Sequence, residues 1–535
     1  MTIYTRFCRE SFNEKGTLTG LELTYPGNFN YGYDVVDVLG EETPEELALM
    51  WCDHRGEEKR FTFREMACWS SRMAHALQDL GIRKGMRVML VLKRHYTYWF
   101  AVIALHKLGV LAIPATHMLT VDDYVYRIRT ARVDAVLCVD EEGLGERLGA
   151  AVAGTNCQIW PVTELLERAA VEPDHFSRVE TRAEDPMLLY FTSGTTGAPK
   201  GVLHDFTYPL AHIVTARYWQ RAEEGGLHFT VAETGWAKAS WGKLYGQWLV
   251  GSGVMVYDFE GFDPKQLCAV INKYGVTSFC APPTVYRYLV RKGIPDMPGL
   301  RHASTAGEML DPLVFQAFQK QTGLTLMEGY GQTETTLLVA NFGDEEPAAG
   351  SMGRPSPFYH IELVDKKGLP VPEGEVGEVV VVPRDSGRVH GVFSGYLEDD
   401  ALYRKAWQDN VYHTGDAASR DEMGRLFFHG RFDDIIKTGG YRVGPDEVEQ
   451  VLLTHPAVRE CSVVGVPDGL RGQAIKAFIV PRSGYAPSPV LSLEIRESCN
   501  KKLAEYKWVR VVEFVEELPK TISGKTRRAQ LRGAG

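Results

Sequence analysis

Tyr190-Phe191-Thr192-Ser193-Gly194-Thr195-Thr196-Gly197-Ala198-Pro199-Lys200-Gly201 decides how the rest of the chain is read. It follows Pro186-Met187-Leu188-Leu189, an apolar run that predicts a buried strand. Hydroxyl residues, glycines and one lysine then crowd together. Glycines let the backbone approach a ligand and turn its N–H groups inward; hydroxyls add short donors and Lys200 a point charge. Such a loop is a phosphate cradle. The rival reading is a plain Ser/Gly linker, but a linker has no reason to end in Pro-Lys-Gly and resume at once with apolar residues. It is not the common P-loop either. There the Lys directly follows the last Gly, whereas Ala198 and Pro199 stand between Gly197 and Lys200.

The 535 residues are 44% hydrophobic and 24% charged, values of a globular chain with a large core. The net charge of −10 lacks the basic footprint of a nucleic-acid partner. Nine cysteines, with no C-x-x-C pair, read as reduced packing residues without structural zinc. No signal peptide is expected at Met1 to Arg6, and no run approaches the ~18 apolar residues of a membrane span. The expected location is therefore cytoplasmic.

Upstream of the loop, residues 1–45 read as an arm lying on the main body. Strands and helices then alternate: a helix from Met66 to Leu80, a strand from Arg87 to Leu92, a helix from Tyr98 to Leu108 closed by Gly109, a strand from Val110 to Pro114. This is α/β organisation, a parallel sheet with helices on its faces. Downstream, Trp236 and Trp241 among small residues suit an apolar-tail pocket. Lys238 and Lys243 are odd there. Either could narrow the pocket or meet a polar substrate, but snorkelling to solvent is the expectation.

Two strand-end loops follow, Ser304-Thr305-Ala306-Gly307-Glu308 and Glu328-Gly329-Tyr330-Gly331-Gln332-Thr333-Glu334. Ligands of open parallel sheets sit at the carboxyl ends of strands. A Gly-Tyr-Gly segment can stack a flat base, Thr333 can donate to a phosphate, and Glu334 can meet a hard divalent cation. Gly374 to Val382 predicts a small β lobe. After it, Asp416 in Tyr412-His413-Thr414-Gly415-Asp416 can accept ribose hydroxyls. A charged, glycine-rich stretch at 427–442 marks a boundary, and about a hundred residues of α+β pattern follow. The expected domains are 1–431 and 432–535.

Taken together, these stretches resemble the adenylate-forming superfamily of acyl-CoA synthetases, luciferases and peptide-synthetase adenylation domains. The Tyr-Gly-Gln-Thr-Glu version at 330–334 and Asn28-Phe29-Asn30-Tyr31 look most like medium-chain acyl-CoA synthetases. The resemblance implies a large α/β N-terminal domain with a small β lobe, and a small mobile α+β C-terminal domain. It implies ATP and Mg²⁺, with CoA as co-substrate. The nucleotide site would use Thr192, Ser193, Gly194, Thr195, Thr196, Gly197, Gly307, Glu308, Glu328, Gly329, Tyr330, Thr333, Asp416, Arg431 and Arg442. Lys200, Glu334 and Lys525 would be catalytic, with Glu334 the metal ligand. Lys525 stands in Pro519-Lys520-Thr521-Ile522-Ser523-Gly524-Lys525, resembling the family's P-K-x-x-x-G-K motif. Asp433 would be the hinge, Gly440 and Arg471 would meet CoA, and Trp236, Trp241, Gly331 and Leu337 would form the acyl pocket.

The implied activity joins a short- to medium-chain carboxylic acid to AMP and passes the acyl group to CoA. Three alternatives stay open: a benzoate-type aryl-CoA ligase, a stand-alone enzyme loading a carrier protein, and a non-catalytic nucleotide sensor. No carrier domain follows Gly535, an expectation against an integrated peptide-synthetase module. A homodimer and an off switch by acylation of Lys525 are further family-level options.

Overall fold

A computed structural model describes all residues except 1, 193–198, 344–345, 385–387, 439–440, 469–470, 521–523, 525 and 533–535. The chain divides into two compact units. The first holds Met1–Thr192, Lys200–His360 and Pro383–Lys405; the second holds Ser193–Pro199, Ile361–Val382 and Ala406–Gly535.

The first unit is built on two large sheets. In the seven-stranded sheet the order is Gly395–Tyr396, Lys200–Asp205, Pro186–Thr192, Leu111–Pro114, Arg87–Val91, Ala135–Cys138, Gln158–Pro161. The last five run parallel, and the first two join antiparallel at the edge. The nine-stranded sheet has a parallel centre of Leu326–Tyr330, His302–Ala306, Ser278–Ala281, Leu227–Thr230, Gly253–Asp258 and Leu47–Asp53. Such strands are buried on both faces, which is why Arg87–Val91 and Gly253–Asp258 read as continuous apolar runs.

The largest core cluster draws on both sheets and on the helix Thr97–Leu108, every residue of which is buried. A mostly apolar helix belongs in that position, and its buried cation Lys107 is paired with Asp37 at 2.6 Å. It ends as expected at Gly109, whose φ of +66° suits a left-handed cap. The helix expected from Met66 starts earlier, at Phe63, because Thr62 and Glu65 form a capping box. The middle of the expected arm, from Phe29 to Val36, is sunk into the body. Phe29, Asn30 and Tyr31 are fully buried, Asn30 Nδ2 donates to the His106 carbonyl at 2.7 Å, and Tyr31 donates to that of Tyr245 at 3.0 Å.

The second unit contains two five-stranded sheets. One joins Ile361–Val364, Gly377–Val381, Trp407–Gln408, Val411–Arg420 and Leu426–Arg431, the expected β lobe. The other joins Tyr441–Val443, Ile436–Thr438, Gly472–Pro481, Val458–Asp468 and Val509–Phe514, with helices Pro445–Leu453 and Pro489–Asn500 sharing its core.

Candidate active site

In the first unit the phosphate-cradle stretch is a hairpin of Pro186–Thr192 and Lys200–Asp205, with Thr192 opposite Lys200. Ser193, Gly194, Thr195, Thr196 and Gly197 lie outside the described residues. The Lys200 ammonium sits 5.7 Å over the Tyr396 ring, and Tyr396 donates to Glu334 Oε1 at 2.9 Å. Tyr396 reaches this place because its short strand pairs with Lys200–Asp205, Val202 opposite Tyr396. The backbone N–H of Phe393 also donates to the Glu334 carbonyl at 2.7 Å. The structure thus joins Lys200 and Glu334 through one tyrosine that sequence reasoning missed. His204 is a second omission. Burial pushes its imidazole down to about 4, and Nε2 lies 2.8 Å from the Thr333 carbonyl, so the neutral ring must carry its proton on Nε2.

The two strand-end loops meet at one edge of the nine-stranded sheet, where Ala306 pairs with Gly329. Gly307 has a φ of +99°, and Glu308 accepts from Thr284 Oγ1 at 2.7 Å. Glu328 is buried, which pushes its carboxyl up to about 8. Gly329, Tyr330 and Thr333 follow on the same strand and its end.

Beside this edge Trp219, Trp241, Cys280, Ala306, Met327, Leu337 and Ala340 form an apolar cluster. Trp219 and Trp241 meet edge to face, centroids 6.2 Å apart. A Cβ on Gly329 would stand 2.6 Å from the Trp219 ring, and one on Gly331 would collide with the Trp241 ring. Trp241, Leu337 and Gly331 come together, with Trp219 beside them. Trp236 is half-buried and not a member of the cluster.

The two lysines of this stretch do not snorkel. Lys238 is half-buried and donates to the Ala306 carbonyl. Lys243 is 1% exposed, and burial pushes its ammonium down to about 7. The chain on either side of Lys243 is locked, by the Trp99 indole donating to its carbonyl at 2.7 Å and by burial of Gly242 and Leu244, so the side chain has no route out.

Magnesium takes one or two carboxylates and fills the rest of its octahedron with water and phosphate oxygens. Glu334, a single carboxylate one residue removed from Lys200, fits that donor set. Among the described residues no group of three or more His, Cys, Asp or Glu could hold a metal ion.

In the second unit, Asp416 and Arg431 are register partners on neighbouring strands, and Arg431 donates to Asp416 Oδ1 at 2.9 Å and to the Thr414 carbonyl at 3.1 Å. Gly415 between them has a φ of +69°, and a side chain there would run into Arg431. Glu378 braces the turn by accepting from Gly415 N and His413 Nδ1, each at 2.9 Å. Asp433 is exposed in the turn Phe432–Asp434 that links the unit's two sheets. Arg442 pairs in backbone register with Lys437, its side chain outside the description. Arg471 lies 4.0 Å from Asp468. Gly440 and Lys525 are outside the described residues. The chain flanking Lys525 is anchored: Lys520 and Thr526 form a β-bridge, and Arg528 binds Asp446 and Glu449.

Residues 37–397 match the AMP-binding enzyme family and residues 447–525 the AMP-binding enzyme C-terminal domain. The chain is 40% identical to 4-hydroxybutyrate–CoA ligase 1 of Metallosphaera sedula, covering 94% of this chain and 90% of that protein. It is 35% identical to the human mitochondrial acyl-coenzyme A synthetase ACSM3, covering 96% and 90%. Among solved structures it is similar to the anthranilate CoA ligase AuaEII in complex with anthranoyl-AMP, with a TM-score of 0.81, 29% identity and coverage of 95% and 98%. A benzoate CoA ligase from Burkholderia xenovorans matches with a TM-score of 0.79, 26% identity and coverage of 94% and 100%.

Proposed function

We propose a division of labour for this chain, which belongs to the AMP-binding enzyme family and is an AMP-forming acyl-CoA ligase. The observation that carries it is the Lys200–Tyr396–Glu334 cluster at the mouth of the hairpin.

In the first half-reaction an acid carboxylate attacks the α-phosphorus of ATP and pyrophosphate leaves. Positioning and charge neutralisation do most of such chemistry, and no side-chain nucleophile is needed. Lys200 and the cradle hold the departing phosphates, and Tyr396 fixes the Glu334 carboxylate. A magnesium ion held by Glu334 would add charge compensation on the phosphate oxygens. Asp416 accepts the ribose hydroxyls while Arg431 keeps its carboxylate oriented. Lys525 supplies a cation for the two anions that must meet. In the second half-reaction the CoA thiol attacks the acyl-adenylate and AMP leaves. Asp433 is the pivot, domains 1–431 and 432–535 change their relation, Lys525 withdraws, and the Gly440 segment faces the thiol path with Arg471 near the CoA phosphates.

The acid is a short carboxylic acid. The tryptophan pair supports this, because Trp219 and Trp241 fill the space against Gly329 and Gly331 that a long tail would need. Relatives named for 4-hydroxybutyrate, benzoate and anthranilate bracket the size. Among the described residues no helix is long and apolar enough to cross a membrane. A cytoplasmic location, a homodimer and silencing by acylation of Lys525 complete the proposal.

The test is pyrophosphate release with ATP and Mg²⁺ over carboxylates from C2 to C12, branched and aromatic, each with and without CoA. CoA-dependent turnover confined to short acids is expected. In the same assay Lys525→Ala should lose adenylation by on the order of 10²–10³ yet keep thioester formation from supplied acyl-AMP. Equal loss of both steps would refute the assignment.

A further inference from the structure

Four residues stand level across four neighbouring parallel strands. Register pairs Thr230 with Cys280, Cys280 with Ser304, and Ser304 with Met327. Cys280 and Met327 belong to the cluster of Trp219 and Trp241, and Ser304 lies between His302, whose Nε2 meets the Trp219 carbonyl, and Ala306 of that cluster. Side chains alternate along a strand, so Ser304 faces the same side. Thr230 does too, because a Cβ on Gly242 would collide with its Oγ1. This row lies below Ala306 and Gly329 on the sheet face that Trp219 and Trp241 cover.

Two polar atoms at this row are unsatisfied. Ser304 Oγ and Gln220 Nε2 belong to side chains 0% and 1% exposed, and neither atom has a hydrogen-bond partner among the described residues. Gln220 Nε2 reaches the row: it lies 3.0 Å from where a Gly242 Cβ would stand, the same point that presses on Thr230. Its chemistry is fixed by a neighbour. Gln247 accepts from Leu244 N–H with its Oε1, and its Nε2 donates to the Trp241 carbonyl and, at 2.6 Å, to Gln220 Oε1. The edge that Gln220 leaves open is therefore an N–H donor. Ser304 offers a hydroxyl that both donates and accepts.

A methyl-ended tail over this row would leave both groups desolvated and unpaired, which is costly. A hydroxyl-ended tail offers what each lacks, an acceptor for Gln220 Nε2 and a donor or acceptor for Ser304 Oγ. A carboxylate-ended tail would have to draw on two lysines that are placed otherwise. The Lys243 ammonium lies over Phe229, whose ring belongs to the cluster on the sheet's opposite face, and Lys238 is engaged one level higher at the Ala306 carbonyl. From Ala306 down to Ser304 the strand drops about 6.6 Å, the reach of a chain of about four or five carbons.

We propose that Ser304 and Gln220 are specificity-determining residues that read the terminal hydroxyl of a short hydroxy acid. The proposal rests on the reading of Trp241, Gly331 and Leu337 as the acyl pocket. The experiment measures kcat/KM with ATP, Mg²⁺ and CoA for butanoate against 4-hydroxybutanoate, pentanoate against 5-hydroxypentanoate, and succinate. The hydroxy acids should win by about ten-fold or more, and Ser304→Ala and Gln220→Leu should each shrink that ratio about ten-fold, partly by improving turnover of the alkanoate. Alkanoates equal to or better than hydroxy acids in the unaltered enzyme would overturn the proposal, as would a preference for succinate or a ratio unmoved by both variants. Trp241→Ala separates the two levels. It should extend the accepted chain length; an unchanged length profile would remove the pocket reading itself, and the proposal with it.

Discussion

Replacing Lys243 by methionine should make the protein more stable at neutral pH. Lys243 is 1% exposed, its Nζ has no hydrogen-bond partner among the described residues, and the Phe229 ring centroid is 5.9 Å away. Burial is the main cause of its depressed ammonium pKa; Arg94 pushes the same way and Asp258 opposes. The folded value is about 7 against an ordinary 10.5, so the unfolded chain binds a proton that the folded chain resists. Stability must therefore rise with pH between those two values. The drop corresponds to a penalty of at most roughly 5 kcal/mol below pH 7, shrinking to about 1.4 kcal/mol near pH 9.5. Methionine keeps the length and apolar stem without the charge, and a volume-conserving change costs less than about 1.5 kcal/mol. The expected net gain is about 2–4 kcal/mol near pH 6.5 and close to nothing near pH 9.5. Denaturant unfolding of the two proteins across that range measures it. A variant that is less stable at pH 6.5, or a difference that does not change with pH, would refute the reasoning and show that the amine is charged and paired in the folded state.

Three further outcomes are expected. Glu328 has a folded value of about 8 against 4.5, so the folded state holds a proton the unfolded chain has lost, and stability falls as pH rises through that window; Glu328→Gln should match the parent near pH 5 and exceed it near pH 9 by on the order of a few kcal/mol in thermal or denaturant unfolding. Gly331→Ala places a methyl into the Trp241 ring and should cost about 1–3 kcal/mol in unfolding or, if the ring yields, at least ten-fold in kcat/KM for the preferred acid. Tyr396→Phe should raise the Mg²⁺ concentration needed for half-maximal pyrophosphate release while leaving the KM for the acid unchanged, and Glu334→Gln should lower the adenylation rate by on the order of 10²–10³.

Much of this architecture was legible because the signals were local. Thr97–Leu108 announces itself by its apolar run and its terminal Gly109, and Arg87–Val91 by an unbroken apolar strand. Lys200, Glu334, Asp416 and Arg431 stand in short motifs whose residue types point to phosphate, metal and ribose. What escaped was long-range. Tyr396 joins Lys200 and Glu334 only through an edge strand whose partner lies almost two hundred positions earlier, and nothing in Ser394-Gly395-Tyr396 betrays it. Lys243 was misjudged because a lysine beside glycine and aromatic residues has the composition of a surface turn. Its burial is decided by Phe229 and Trp99, on elements remote in sequence.

The glycines of Gly-Tyr-Gly show how one residue answers to two demands at once. From sequence, Gly329 reads as a place where backbone comes close to a nucleotide, and Gly331, by resemblance, as part of the acyl pocket. In the fold each also faces a tryptophan ring, Gly329 that of Trp219 and Gly331 that of Trp241. The absent side chain and the indole are complementary volumes, so on the proposed reading of an acyl pocket here neither alone sets its depth. A larger residue at 331 excludes the ring, and a smaller one at 241 leaves that volume open. Depth is thus a property of a pair from two elements, while tail polarity belongs to Ser304 and Gln220 below them. Length and polarity are set by different residues on different levels of the same sheet face. That separation lets the acid change without disturbing Lys200, Glu334 or Asp416.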